Sequence, residues 1–512
     1  MLDASPKSPL QLLPEPGDAA GWRERCIEAE RRVAALEEKV REQVALNEKL
    51  SGEVAELKRR LDQNSSNSSK PPSSDPESAR ARRKKRTESR RKRGAQKGHE
   101  GVTRRMVPAE QVTRRIDVHP TECVGCGGDL AGGREVGTPT LHQVVELPPI
   151  QPEVNEYVLH GTCCPQCGLV NHARPPAEAR YQTGPRLTAA TATLVGEYHL
   201  SREAVADLLG TLFGIPICKG TVQACCERTS AALEQPVREL TEALPQTPSA
   251  FMDETGWREA GAKRWLWIAV TTAFVVFAVN AKRGRDQLRQ WFPNGYKGVI
   301  HSDRWTAYHF FDRTLRQLCW SHLIRDLTAI MEAKLAGSEA AAVILKGVDG
   351  MFRQWHAFRN GEIGRDELKT ATTEFRNKFR EFCATGEGQA ADRKWRAVGH
   401  YLLKFWPAVF LFIERDGVEP TNNTAERWLR PAVLWRKICQ GTRSADGSVF
   451  AGRILTTVGT CRLQGRGVLD YLTDAVRCHI TGTPVPSLLP RGTPEGQEAH
   501  AGLQQPAELA VA

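Results

Sequence analysis

Three carboxylates stand in surroundings that suit metal chemistry on phosphate. Asp253 lies in MDETGW (252–257), at the end of a predicted strand, and Asp303 closes a later one in VIHSDRW (299–305). Glu426 opens a predicted helix in TNNTAERWLRP (421–431). Mg²⁺ takes hard oxygen ligands and keeps several waters, so a few carboxylates suffice to hold it. Two such ions about 4 Å apart serve phosphodiester chemistry, one activating the attacking oxygen and one stabilising the leaving oxygen. Each acid also has a plainer explanation. Asp253 could end its strand in a turn, and Asp303 could cap a helix beginning at Arg304. Glu426 could occupy N3 behind an Asn423 N-cap and reach back to the cap's N–H, or pair with Arg430. Pro431 should kink or restart that helix. Arg427, Arg430, Arg436 and Lys437 carry charge suited to phosphate contacts, with Trp428 and Trp435 available to pack or to stack on bases.

A second constellation is sulfur. CVGC (123–126) and CCPQC (163–167) are two CxxC knuckles, which let four thiolates, Cys123, Cys126, Cys164 and Cys167, converge on one Zn²⁺. Gly125, Gly127, Gly128 and Pro165 suit the turns, and Cys163 is the spare. Four thiolates leave no open coordination position, so this zinc would be structural. A redox pair is the rival, although one CxxC would be enough for that.

The acids need a scaffold. SAFMDETGW, KRWLWIAVT and AFVVFAVNA read as three strands, GRDQLRQWF as a helix and GYKGVIHSD as a further strand. Three strands, a helix and another strand is the order of an RNase H-like core, in which strands one and four are neighbours. Asp253 and Asp303 would then meet, and the third acid must come from a later helix. From about Trp320 to Glu414 the pattern is helical and amphipathic. Upstream, SREAVADLLGTLFG and KGTVQACCERTSAAL flank a turn and predict two helices that could form a helix-turn-helix.

Ahead of these, a heptad seam steps through Trp22, Cys26, Ala29, Val33, Leu36, Val40, Gln43, Asn47, Leu50, Val54, Leu57 and Leu61. Asn47 at an a position favours a defined register, often a dimer; a long helix packed on its own domain is the alternative. The seam ends at DQNSSNSSKPPSSD (62–75), where Asn, Ser and Pro disfavour regular structure. A basic run follows, with thirteen Lys or Arg between Arg80 and Arg105. It is read as a phosphate-binding arm through Arg82, Arg83, Lys84, Lys85, Arg86, Arg90, Arg91, Lys92 and Arg93, against a solvated linker. The net charge of +11 suits a polyanionic partner. No run of eighteen uncharged apolar residues predicts a membrane span, and the first eighteen residues do not resemble a signal peptide. A cytoplasmic protein is expected, its fourteen cysteines thiols or metal ligands.

At this point the sequence resembles the IS66 family of bacterial insertion-sequence transposases. NSSNSSKPPSSD (64–75) is similar to that family's linker, GAQKGHEG (94–101) to its following basic motif, and the double CxxC to its zinc domain. MDETGW, HSDRWTAY and CWSHLIRDL resemble the first two acidic blocks and the segment behind them; EPTNNTAERWLRPAVLWRKICQGTRSADG resembles the third. Lys97 departs from the proline usual in the basic motif. The resemblance implies a DDE triad of Asp253, Asp303 and Glu426 working with two Mg²⁺ or Mn²⁺ ions, and one structural Zn²⁺. It implies metal-dependent hydrolysis at the element ends, then attack of the freed 3′-OH on target DNA, with no covalent protein–DNA intermediate. His322 reads as a helper near the metals or as a packed helix residue.

The expected organisation is a multidomain α+β chain: a coiled coil over 22–62, linker and basic arm over 63–105, zinc module over 106–180, and a helical DNA-binding region over 186–245. An RNase H-like α/β core follows over 249–319 and 416–470, interrupted by an α-helical insertion over 320–415. Residues 471–512 form a C-terminal region and disordered tail. Expected partners are double-stranded DNA, a second copy through the coiled coil or a higher oligomer, and small accessory proteins of the same element, on the nucleoid of a bacterial cytoplasm. Two rivals use the same features: a zinc-dependent DNA-binding regulator with an inactive core, and an RNase H-like nuclease that cuts without joining.

Overall fold

The computed structural model describes residues 19–68, 75, 77, 106–388 and 392–490. These fall into two compact units.

One unit joins residues up to 80 with 322–404. Its first element is α1 (Ala19–Leu61), 43 residues long, which at 1.5 Å per residue spans about 64 Å. The heptad seam lies open along it: Val33, Leu36, Val40, Leu50, Val54 and Leu57 are all exposed. Residues 62–68 after it form turns without regular structure, as expected, and 69–74 lie outside the described residues. Asp75 accepts from Ser65 N and Oγ at 2.7 Å each, and Asn67 Nδ2 donates to Glu332 at 2.7 Å. Asn67 and Asp75 are buried.

The other unit spans 81–321 and 405–512. It opens with a short antiparallel pair, β1 (Gly161–Cys163) and β2 (Val170–His172). Four helices follow: α2 (Pro185–Gly196), α3 (Arg202–Phe213), α4 (Lys219–Ala232) and α5 (Glu234–Ala243). Ser201 caps α3 by accepting from Ala204 N, and Gly214 ends it in the left-handed region. Both expected helices form, but α4 buries Val222, Cys225, Cys226 and Thr229 in the core.

The central sheet holds β3 (Ser249–Glu259), β4 (Ala262–Val270), β5 (Val275–Asn280), β6 (Val299–Ser302) and β7 (Arg316–Leu318), with α6 (Asp286–Trp291) between β5 and β6. Its spatial order is β5-β4-β3-β6-β7, antiparallel through the first three strands and parallel from β3 to β6 to β7. Strand β7 has no counterpart in the sequence reading, because three residues led by a charged arginine carry no alternation. Arg316 is nonetheless fully buried.

Helices α7 (Trp320–Glu332), α8 (Ser338–Arg359), α9 (Arg365–Thr385) and α10 (Arg393–Lys404) follow, then the short α11 (Leu411–Glu414). Of these, 322–404 belongs to the unit of α1. Back against the sheet come α12 (Asn423–Cys439), α13 (Ala445–Leu463) and α14 (Val468–Thr481). Helix α14 corrects the expected C-terminal region. It buries Tyr471, Leu472, Ala475, Val476 and Ile480, so 471–490 completes the core, and 491–512 lies outside the described residues.

Helix α13 solves the edge problem of β5. An edge strand exposes N–H and C=O groups that must find partners when buried. Thr456 Oγ1 accepts from Phe277 N at 2.8 Å, and Thr460 Oγ1 both accepts from Val275 N and donates to Val275 O at 3.2 Å. Four helical residues rise about 6 Å and two strand residues about 6.6 Å, so the two hydroxyls match the strand's repeat. Replacing Thr460 by valine keeps the shape and strands both groups of Val275. Urea denaturation should report a loss of about 1–3 kcal/mol for each group left unsatisfied.

Candidate active site

The pairing of β3 with β6 runs Ser249↔Val299, Ala250↔Ile300 and Phe251↔His301. The ladder ends there, two residues ahead of Asp253 on β3 and two ahead of Asp303, which directly follows β6. Asp253 is not at a strand end, as the sequence suggested. β3 continues to Glu259 in its pairing with β4, and Asp253 stands just past the point where the pairing with β6 stops. Asp303 does not cap a helix either: its Oδ1 accepts from Trp305 N at 2.8 Å, a local turn. Arg316 braces the same corner, donating to Ser302 Oγ at 2.9 Å and to the carbonyl of Asp303.

Side chains alternate along a strand, so Asp253, Thr255 and Trp257 share a face. Helix α12 lies along it. Trp435 meets Trp257 edge-to-face at 5.9 Å, and Arg436 Nη1 donates to Thr255 Oγ1 at 3.0 Å and to Gly256 O at 2.7 Å. The helix is pinned at both ends. At its start, Asn422 Nδ2 donates to Met252 O at 2.7 Å. Past its end, Thr442 N donates to Arg258 O and Ala260 N to Thr442 O, each at 2.9 Å. Gly441 permits that approach: its φ is +103°, and a Cβ there would stand 2.2 Å from Arg258 O. Running from Met252 toward Glu259, α12 brings Glu426, in its first turns, toward the stretch of β3 that holds Asp253.

Several expectations about this helix need correction. The N-cap is Asn422, not Asn423, and its side chain makes no capping bond: the amide is turned to donate from Nδ2 to Met252 O, and Oδ1 accepts from no helix N–H. Glu426 is thus one position beyond N3, its N–H bonded to Asn422 O at 3.3 Å, and no capping box forms. Of the kink or restart expected at Pro431, no restart occurs: the helix runs through it to Cys439. Of the two roles open to Trp435, it takes packing: it is buried and stacked on His199 at 5.3 Å. Arg436 is committed to β3, whereas Arg427, Arg430 and Lys437 are exposed. Arg82, Arg83, Lys84, Lys85, Arg86, Arg90, Arg91, Lys92 and Arg93 lie outside the described residues. His322 belongs to the other unit.

On the opposite face of β3 sits a carboxylate that the sequence reading passed over. Glu254 is buried and accepts from Arg283 at 2.7 Å and from Tyr308 Oη at 2.5 Å. Burial, and then the negative charge of Asp303, push its carboxyl up, while Arg283 opposes them. The Tyr308 hydroxyl is raised by burial and by Glu254, Asp303 and Asp253 together. Burial pushes His301, on β6, down to about 3, so it stays neutral and adds no counter-charge. The available signal for Glu254 was a charged residue flanked by strand residues whose own face had to be covered.

The donor set fits a divalent metal. The oxygens are hard, and Asn422 Oδ1 is buried without a hydrogen-bond partner. Among the described residues the three acids do not close within 4.8 Å of one another.

The cysteine knuckles are built alike. Cys123 N donates to Gly128 O and Gly127 N to Cys123 O; Cys164 N donates to Leu169 O and Gly168 N to Cys164 O, all at 2.8–2.9 Å. Gly127 and Gly168 occupy the left-handed region at φ +69° and +75°. Antiparallel pairing flanks each, Glu122↔Asp129 and Cys163↔Val170. Backbone N–H groups of Gly125 and Cys126 lower the Cys123 thiol, and those of Cys167 and Gln166 lower Cys164. Cys163 Sγ instead donates to Gly168 O at 3.3 Å. Each knuckle suits a metal, but among the described residues the four sulfurs do not gather within 4.8 Å.

Among known proteins, the model of the family described as Transposase IS66 family matches residues 180–449, and that of a family of unknown function matches 19–105. Among curated proteins, the chain is similar to the uncharacterized protein y4hP of Sinorhizobium fredii, 24% identical over 410 residues, 72% of each chain. It is also similar to the uncharacterized protein y4qI of the same strain, 19% identical over 274 residues, 48% of this chain and 50% of that one.

Proposed function

Since the chain belongs to the IS66 family of transposases, we propose that it cuts DNA at insertion-sequence ends and joins the freed 3′-OH to target DNA, using Asp253, Asp303 and Glu426. The observation that carries this reading is the parallel pairing of β3 with β6 just ahead of Asp253 and Asp303, with the start of α12 tied to the residue before Asp253. The strand order supports an RNase H-like core. Two Mg²⁺ or Mn²⁺ ions, held by the three acids, would supply the activation of water or 3′-OH and the stabilisation of the leaving oxygen. The chain's own contribution is to fix the carboxylates on two strands and a helix pinned to them. Arg427, Arg430 and Lys437 provide exposed positive charge on α12, suited to the phosphates beyond the cut. The basic arm would add affinity that falls with salt. The chain would act on DNA in the bacterial cytoplasm, at the nucleoid.

The seam of α1 supports self-association, since six large apolar side chains on one stripe face solvent and a second copy would bury them. Leu36→Lys with Val40→Lys should convert the protein to a smaller species in analytical ultracentrifugation; an unchanged mass would assign the seam another role. Accessory proteins of the element remain further candidate partners.

Nicking of a plasmid that carries the DNA flanking this gene tests the main reading. Mg²⁺-dependent cuts at the element ends, leaving 3′-OH, are expected. Binding without cutting would favour a zinc-dependent DNA-binding regulator, and cutting without joining a nuclease.

A further inference from the structure

A chain of hydrogen bonds through two buried side chains connects the elements that carry the three acids. Cys319 N donates to Ser302 O at 2.9 Å, and Ser302 immediately precedes Asp303. Asn422 N donates to Cys319 Sγ at 3.1 Å. Asn422 Nδ2 donates to Met252 O at 2.7 Å, and Met252 immediately precedes Asp253. The carbonyl of Asn422 accepts from the N–H of Glu426 itself. Cys319 and Asn422 are 2% and 1% exposed, so water does not compete for these bonds. Cys319 Sγ also approaches within 4.8 Å of a Glu426 oxygen.

We propose that Cys319 and Asn422 are the positioning residues that set Glu426 relative to Asp253 and Asp303. The inference rests on the reading of those acids as metal ligands. Three carboxylates repel one another, and α12 has no backbone ladder to β6. The Cys319–Asn422 connection supplies one, with each link ending one residue from an aspartate or on the turn of the glutamate. The amide orientation is fixed by this role, since the reverse would turn Oδ1 toward the Met252 carbonyl. It leaves Asn422 Oδ1 buried and unpartnered, an acceptor for a water in the shell of a hydrated cation. Groups that orient metal ligands typically contribute about 10–100-fold in metal affinity.

The test measures Mn²⁺ binding to the DNA-free full chain by electron paramagnetic resonance of the free ion, alongside Tm and cleavage. Asn422→Ala and Cys319→Ala should each weaken Mn²⁺ binding about tenfold while Tm shifts by only a few degrees. Cys319→Ser keeps an acceptor for Asn422 N and should stay within about twofold of the parent. Unchanged Mn²⁺ affinity in the two folded alanine variants would overturn the proposal. If Asn422→Ala does not fold, the Cys319 pair decides: equal affinities for Cys319→Ala and Cys319→Ser overturn it. Glu426→Gln separates the two levels. Full Mn²⁺ binding and cleavage by that variant would sink the triad, whereas its inactivity beside unaffected Asn422 and Cys319 variants would sink only the positioning role.

Discussion

Glu426→Gln will abolish cleavage and joining while leaving affinity for end DNA within about twofold. The substitution keeps the side chain's size and removes one negative charge. Glu426 N remains bonded to Asn422 O, and the start of α12 remains tied to Met252, so the fold has no reason to change. What is lost is a hard anionic ligand. A bound metal supplies several kcal/mol of transition-state stabilisation; at ~1.4 kcal/mol per decade, the expected fall is about a thousandfold or more. Asp253→Asn and Asp303→Asn should behave alike. Single-turnover cleavage and a gel-shift titration, run in parallel on one preparation, measure both quantities. Cleavage within tenfold of the parent would remove Glu426 from the site.

The second large effect is expected at the knuckles. The full chain should carry one zinc, and Cys126→Ser with Cys164→Ser should reduce it to a small fraction. The region around the knuckles has little else to hold it: Val118, Val136, Val144, Val154 and Val158 are all well exposed, and β1 and β2 are three residues each. Modules of that kind draw folding energy from the metal itself, about 10–16 kcal/mol for structural zinc in small peptides. The two knuckles share one hydrogen-bond pattern, and a four-thiolate site would require them to meet. Metal analysis gives the stoichiometry. Limited proteolysis should show new cuts between 106 and 180 in the variant or after chelation, with 185–490 spared. A variant with undiminished zinc, or no zinc in the parent, would count against the four-thiolate site.

Much of the sheet was legible because β3, β4 and β5 are dense in Val, Ile, Phe and Trp and separated by short turns. β7 was not, since a buried arginine and three residues leave no periodic signal. The ends of α12 were misread for a related reason. Asn422 and Asn423 are equivalent as caps by local rules, and only the carbonyl of Met252, 170 positions away, decides between them. Arg436 looked like a surface group in a basic helix, and Trp435 could equally pack or stack on bases; their contacts with β3 are not encoded in local spacing. Glu254 was overshadowed by its neighbour, because strand alternation sends the two acids to opposite faces and only the fold supplies Arg283 and Tyr308. The acids themselves stood out by residue type and by the predicted strands and helix around them. The contacts that position them run through backbone carbonyls, which no residue type advertises.

The most direct test of the central claim replaces a non-bridging oxygen of the scissile phosphate by sulfur. Mg²⁺ binds sulfur poorly, whereas the softer Mn²⁺ tolerates it. If Asp253, Asp303 and Glu426 hold ions that touch this phosphate, the sulfur substrate will be nearly inert in Mg²⁺ and will regain cleavage in Mn²⁺. Equal cleavage of the oxygen and sulfur substrates in Mg²⁺, for both sulfur stereoisomers, would contradict it.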